Sequence, residues 1–398
     1  MKNSSANREV PLINQDIICV SSMPYAGMWT RKQRLMTILA RAGNRVLYVE
    51  PVETTFASEG NKGEWSDLIQ EIEKNLWILK PPGRLPLARF AFMRDLNFRR
   101  YVNSIRKHTR KLKFQKPVLF TYTPVIHAHS PFLRMRGSFD ESILVYDCVD
   151  EHSETIGYTT EAARVVHEMD LDLTSRADIV FVTARGLYED RKHLNDKMYF
   201  SPNGAEVSHF SRALLDETKI PDDLSAIPGP RIGFVGALSK WIDFELIGKI
   251  AERYPEYNIA LVGPAVPGPH IEMLKSIGNV YFLGKKKLEE LPGYLKGFDC
   301  GINPFKRVGI SEKVNPLKIY EYLAAGLPVI SIDMPEILPF EGAILVARDD
   351  EQFIDGAGKI ISGEFSPDAD MVSDILNRHD WNVIFDDQMR KISDLINT

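Results

Sequence analysis

The sequence predicts an α/β protein of two domains, each built on parallel strands joined by helices. Three observations carry that prediction. Short apolar runs rich in Val, Ile and Phe alternate with helix-period segments through most of the 398 residues. Turn chemistry at Ser201-Pro202-Asn203-Gly204 interrupts the alternation. The length leaves room for two or three cores at roughly 150 residues per domain.

In chain order, residues 17–20 read as a strand and 30–42 as a helix closed by Gly43, with a second strand over 45–49. Further strands are expected at 118–121, 143–146, 179–182 and 198–200. After a proline-rich connector at 221–230, the alternation is more regular: strand 231–235, helix 244–254, strands 258–262 and 280–283, helix 288–296, strand 300–303, helix 317–325 and strand 328–331. Residues 374–396 carry a helical apolar period through Trp381, Ile384, Phe385, Met389, Ile392 and Leu395. Two such halves imply two Rossmann-like domains.

Composition excludes several classes. Charged residues at 26% beside 10% aromatics do not describe a disordered chain. No apolar run approaches the roughly 20 residues that span a bilayer, and residues 1–16 lack a signal-peptide core, so a cytoplasmic protein is expected. Cys19, Cys148 and Cys300 are scattered beside apolar residues and read as buried thiols. The net charge of −5 conceals an asymmetry: residues 84–116 hold eleven basic residues and one acid, Asp95, a local +10 against −15 for the remainder.

The segment 309–332 begins as a loop and becomes a helix. Asn315 reads as its N-cap, Pro316 as its first helical residue and Gly326 as its left-handed stop. A helix start at the end of a parallel strand offers unpaired N–H groups and a positive dipole end, a natural phosphate site. Lys318 in the first turn can reach the same phosphates, and Glu321, one turn on, can accept two hydroxyl hydrogen bonds from a ribose. Spacing alone leaves an ordinary solvated ion pair equally open.

The run Pro316-Leu-Lys-Ile-Tyr-Glu-Tyr-Leu-Ala-Ala-Gly-Leu-Pro-Val329 resembles the donor-binding signature of GT-B glycosyltransferases, and Ser201-Pro-Asn-Gly204 with Phe210 resembles their interdomain signature. Phe234-Val-Gly236 and Phe282-Leu-Gly284 fall at matching places. The resemblance implies two Rossmann-like domains facing across a cleft: 1–203 for the acceptor, 204–375 for the nucleotide sugar, and 376–398 as a helix returning to the first. It also implies a nucleotide-sugar donor, with UDP expected, and no required metal or cofactor. Donor residues are then Lys318, Glu321, Lys240, Gly236, Gly284, Asn315 and Tyr320, with Gly27 and Arg31 on the acceptor and sugar side. Two departures bear on mechanism. Eight positions before Glu321, where the retaining group-1 branch usually has a second Glu, stands Lys313, and Ala237 stands where that branch tends to have Arg. The pattern is similar to the teichuronic-acid and xanthan glucuronosyltransferase branch.

Inverting transfer needs a base for the acceptor hydroxyl. The run 143–153 leaves a strand directly into polar groups, which makes Asp150 the preferred base, Asp147 the second and His152 an alternative or orienting partner. Capping roles remain open for both aspartates. Asp170-Leu-Asp172 and Asp368-Ala-Asp370 imitate a metal-binding pair but read as chance, and His127 and His129 lack the company of a zinc site.

Leu85, Leu87, Phe90, Phe92, Met93, Leu96, Phe98, Tyr101, Val102 and Ile105 interleave with the cations of 84–116. Such a segment suits an anionic membrane surface, at roughly 1 kcal/mol per basic residue near the headgroups; a helix pair with a core face is the plainer alternative. Nucleic acid is not expected, because the acidic remainder repels it. The expectation is a glycosyltransferase at the inner face of the cell membrane, extending a lipid-linked cell-surface glycan. A sugar-nucleotide epimerase of the same fold and a non-catalytic nucleotide-sugar-binding subunit are the alternatives.

Overall fold

The computed structural model describes residues 12–26, 29–52, 67–87, 90–126, 130–154, 159–307 and 312–398. Gly27, His127 and His129 lie outside them. The chain divides into two compact units: Met1–Thr183 with Leu187–Ser201 and Phe385–Thr398, and Ala184–Gly186 with Pro202–Ile384.

The first unit holds an eight-stranded sheet in the order Met198–Phe200, Ile179–Val182, Ile143–Cys148, Val118–Thr121, Asp16–Val20, Arg45–Val49, Leu76–Lys80 and Leu68–Glu73. Its pairs are parallel except the last, where Leu68–Glu73 runs antiparallel at the edge. The inner strands are buried and largely apolar, as a sheet covered by helices requires, with Asp147 the buried charge within Ile143–Cys148. The strand order reverses between Asp16–Val20 and Val118–Thr121, which opens a crevice beyond their carboxyl ends.

The second unit has a six-stranded, all-parallel sheet in the order Val280–Gly284, Asn258–Val262, Arg231–Val235, Cys300–Asn303, Val329–Ile332 and Leu345–Ala347. This is the doubly wound order, and its reversal lies between Arg231–Val235 and Cys300–Asn303. The unit's core is a single cluster around these strands.

Several expectations need correction. Among the described residues of 84–116 there is one long helix, Ala91–Lys111, where the plainer alternative had a pair. The helix read over 288–296 begins as a 3-10 turn, Leu288–Glu290, before Leu291–Lys296. The terminal pattern splits into Ala369–Arg378 and Trp381–Ile396, and the first four residues of the latter group with the second unit and the rest with the first. Pro316 itself occupies the N-cap of Leu317–Ala324, one position later than expected, because the Asn315 side chain is engaged elsewhere. Asp368 caps Ala369–Arg378 through the N–H groups of Asp370 and Met371, and Asp170 is fully buried. The three cysteines are buried and free, as expected.

At the ends of the second unit's strands, backbone meets backbone. Gly263 has φ +147°, and a Cβ there would come within 1.8 Å of the Gly236 carbonyl oxygen. Gly263→Ala should therefore destabilise this unit by about 3 kcal/mol or more, read as a lowered midpoint in chemical denaturation.

Candidate active site

In the second unit, three adjacent strands end in glycines. The Gly236 N–H donates to the Val262 carbonyl and the Gly263 N–H to the Gly284 carbonyl, each at 2.9 Å. Gly284 has φ +70° and faces open space. The absence of side chains there lets a ligand approach the backbone along an edge that runs from Gly284 to Gly236, which borders the strand-order reversal. Beyond Gly236 the loop is tied down by the Leu238 N–H on Pro264, and Lys240 stands exposed upon it.

The helix Leu317–Ala324 starts beside this edge, after Cys300–Asn303, and no side chain caps its first N–H groups. Lys318 Nζ lies 2.6 Å from Glu321 Oε2. The pair is not a solvated surface bridge, since the Glu321 side chain is only 3% exposed and that of Lys318 24%. Tyr322 fixes the helix to the first strand: its buried hydroxyl accepts the Val235 N–H at 2.7 Å. Lys318, Glu321 and the Gly236–Lys240 loop therefore share one rigid frame.

Asn315 and Tyr320, expected at the donor, face inward instead. Asn315 Nδ2 donates to Glu336 Oε2 at 3.2 Å, and its Oδ1 accepts the Tyr320 hydroxyl at 2.9 Å. Glu336 also accepts the Arg185 N–H, Asn203 Nδ2 donates to the Asn315 carbonyl, and Tyr320 stacks on His379 at 4.6 Å. Burial raises the Glu336 carboxyl above its ordinary range, partly offset by these donors. Through these bonds the two residues tie the helix start to Glu336. Glu336 was missed because nothing in its local sequence distinguishes it.

In the first unit, the helix Arg31–Arg41 opens with a capping box in which the Thr30 N–H donates to Gln33 Oε1. Its first turn then buries three cations, Arg31, Lys32 and Arg34, against the dipole preference for acids at that end. Arg31 Nε donates to Asp147 Oδ2 at 2.8 Å and its Nη2 to Ser201 Oγ at 2.8 Å. Asp147 is wholly buried, so its place is that of an anchor for Arg31 rather than of a base open to a substrate hydroxyl.

Three residues on, Asp150 reaches solvent. The protein packed around it raises its carboxyl above the ordinary range, and the Lys32 ammonium opposes the rise. Burial in turn lowers the Lys32 ammonium, with Asp150 and Asp147 opposing. Lys32 Nζ donates to Ser22 Oγ at 2.7 Å and stands 5.7 Å from the Tyr122 ring centre. His152 stacks near Tyr146, and burial with the Lys32 and Arg191 charges pushes its pKa down to about 3, so its imidazole is neutral at physiological pH.

The loop carrying Asp150 and His152 is anchored through Glu151, between them. Glu151 Oε2 accepts Arg191 Nη2 at 2.9 Å and its Oε1 accepts the Ser153 hydroxyl at 2.7 Å. Arg191 Nη2 also reaches Asp170 Oδ2 at 2.7 Å, and Asp170 accepts the Tyr146 hydroxyl. Lys32 and Arg191 were not singled out from sequence. The cationic run at a helix start was a visible signal for the first; Arg191 had none.

Residues 229–362, which contain the whole second sheet, match the family described as Glycosyl transferases group 1. The chain is 26% identical over 275 residues to TuaH of Bacillus subtilis (strain 168), which bears the name of a teichuronic acid biosynthesis glycosyltransferase; the match covers 64% of this chain and 67% of TuaH. Among solved structures, sucrose-phosphate synthase from Thermosynechococcus elongatus aligns with a TM-score of 0.66 at 15% identity, over 95% of this chain and 98% of that one. HepE of Anabaena in complex with UDP aligns with a TM-score of 0.57 at 12% identity, covering 95% and 94%. The match to the group 1 glycosyltransferase family is thus confined to residues 229–362, while the fold of these solved structures extends over 95% of the chain.

Arg191→Met should leave Glu151 and Asp170 as uncompensated buried charges and destabilise the first unit by about 3–5 kcal/mol in urea denaturation. His152 gives a pH signature. Its folded pKa lies below the ordinary 6.5, so the unfolded chain binds the extra proton and stability falls as pH drops from about 6.5 towards 3. His152→Asn should flatten that part of the stability-against-pH curve.

Proposed function

We propose that the chain is a group 1 glycosyltransferase that moves a hexosyl group from a UDP-sugar to a lipid-linked glycan of the cell surface, with inversion at the anomeric carbon. One observation carries the reading: an uncapped helix start with Lys318 poised 2.6 Å from buried Glu321, at the strand-order reversal of an all-parallel sheet. UDP as the nucleotide is supported by HepE, solved with UDP and with UDP and glucose, and by a neighbour from Burkholderia xenovorans titled a UDP-forming trehalose-phosphate synthase. The cell-surface acceptor is supported by the name of TuaH.

In this reading the bond from the anomeric carbon to the diphosphate breaks as a bond to the acceptor oxygen forms on the opposite face. Lys318, Lys240 and the first N–H groups of the helix take up the charge that gathers on the departing diphosphate. Glu321 holds the ribose hydroxyls, and the open glycine edge at Gly236 and Gly284 admits the nucleotide against backbone. The acceptor proton passes to the Asp150 carboxylate. Solvent access and a carboxyl raised above its ordinary range suit Asp150 to that work, with the Lys32 ammonium opposing the rise. Arg31, locked by Asp147, borders the acceptor and sugar, and neutral His152 orients beside the base. Positive charge comes from side chains and backbone, and no metal ion is invoked. The enzyme would work at the inner face of the cell membrane, where such acceptors are extended.

Asp150→Asn should lower kcat about 10²–10⁴-fold while calorimetric UDP affinity stays unchanged; full turnover in that variant would remove Asp150 as the base. Lys318→Ala should weaken UDP binding about tenfold or more, the value of a hydrogen bond to a charged group.

A further inference from the structure

The helix Ala91–Lys111 has two unlike faces. Phe98, Tyr101, Val102 and Ile105 pack into the first unit and are buried. Residues 92, 96, 99, 103, 107 and 110, spaced three or four apart, form the opposite stripe. Phe92 and Leu96 begin that stripe and are 66% and 43% exposed. Arg99, Asn103, Lys107 and Arg110 continue it, all exposed. Just before the helix, Leu87 and Phe90 are 54% and 44% exposed, and the Phe90 and Phe92 rings stack at 6.2 Å. Leu87 adopts φ +65°, a backbone state unfavourable for leucine. Two phenylalanines and two leucines are thus held in water at one end of a cationic rail. Asp95, the single acid of 84–116, is already bridged to Arg134 at 2.9 Å.

We propose that this stripe docks the protein on an anionic lipid bilayer, with Leu87, Phe90, Phe92 and Leu96 entering the headgroup layer and Arg99 and Arg110 lying along it, while Lys107 is held by Asp67 at 2.7 Å. Apolar rings followed by cations on one face match the layered chemistry of such an interface, where the acyl boundary takes the rings and lipid phosphates meet the cations. A second copy of this chain would bring two strongly basic faces together and be repelled. The proposal deepens the reading of a lipid-linked acceptor and rests on it for its purpose, but vesicle binding needs neither donor nor acceptor. The two can therefore fail independently.

The test is co-sedimentation of the full chain with phosphatidylglycerol/phosphatidylcholine vesicles and with phosphatidylcholine alone. Binding should be confined to the anionic vesicles and fall as salt is raised from about 0.05 to 0.5 M, because the Debye length shrinks. The triple variant Phe90→Ser, Phe92→Ser and Leu96→Ser should lower the partition coefficient at least tenfold, with thermal midpoint and UDP affinity unchanged. Arg99→Glu with Arg110→Glu should do the same without touching the apolar residues. No sedimentation with anionic vesicles at low salt, or wild-type partition by both variants, would overturn the proposal. So would a concentration-dependent dimer, or retention of RNA, abolished by the same substitutions.

Discussion

Parallel strands all point one way, and the constraint this places on a chain is the source of the candidate site in the second unit. Each strand of the second unit must be followed by a crossover back to the start of the next, so loops and helix starts gather at one edge of the sheet. Where the order reverses, crossovers leave on opposite faces and the edge opens. Gly236 and Lys240 leave from one side of that reversal, and Lys318 and Glu321 from the other, although nearly eighty residues separate them. The Tyr322 hydroxyl on the Val235 N–H converts this topological neighbourhood into a fixed spacing.

The first unit meets a different problem: it buries charge. Arg31, Lys32, Asp147, Glu151, Asp170 and Arg191 are all removed from water, and an isolated buried charge is costly. Pairing across distant segments limits that cost and makes the arrangement stiff, since each partner left alone would be a penalty. The consequence is a short run, 147–152, in which Asp147 and Glu151 are anchored and Asp150 is left to face solvent.

Much of this was legible in the sequence. The strands at 118–121, 258–262 and 300–303 fall where apolar runs put them, because inner parallel strands are apolar on both faces. The hairpin of Leu68–Glu73 and Leu76–Lys80 escaped notice: its outer strand is a half-exposed edge whose polar residues imitate a loop. Asn315 was misread for a related reason. An asparagine before a proline and a helix is a good cap by local rules, and only Glu336 and Tyr320, brought in by the fold, compete for its side chain. Phe92 and Leu96 read like Tyr101 and Ile105, and helical rotation alone separates the exposed pair from the core pair.

The sequence by itself determined the α/β class, the strand succession and the motif around Lys318 and Glu321, because these depend on periodicities and spacings within a few turns of chain. Tertiary structure decided the fate of each polar group. Asp147 and Asp150 lie three residues apart in the same run, yet one is sealed against Arg31, 116 residues away, and the other is open to water. Burial and pairing are set by partners that local pattern does not contain, and the electrostatics of the site follow from those partners.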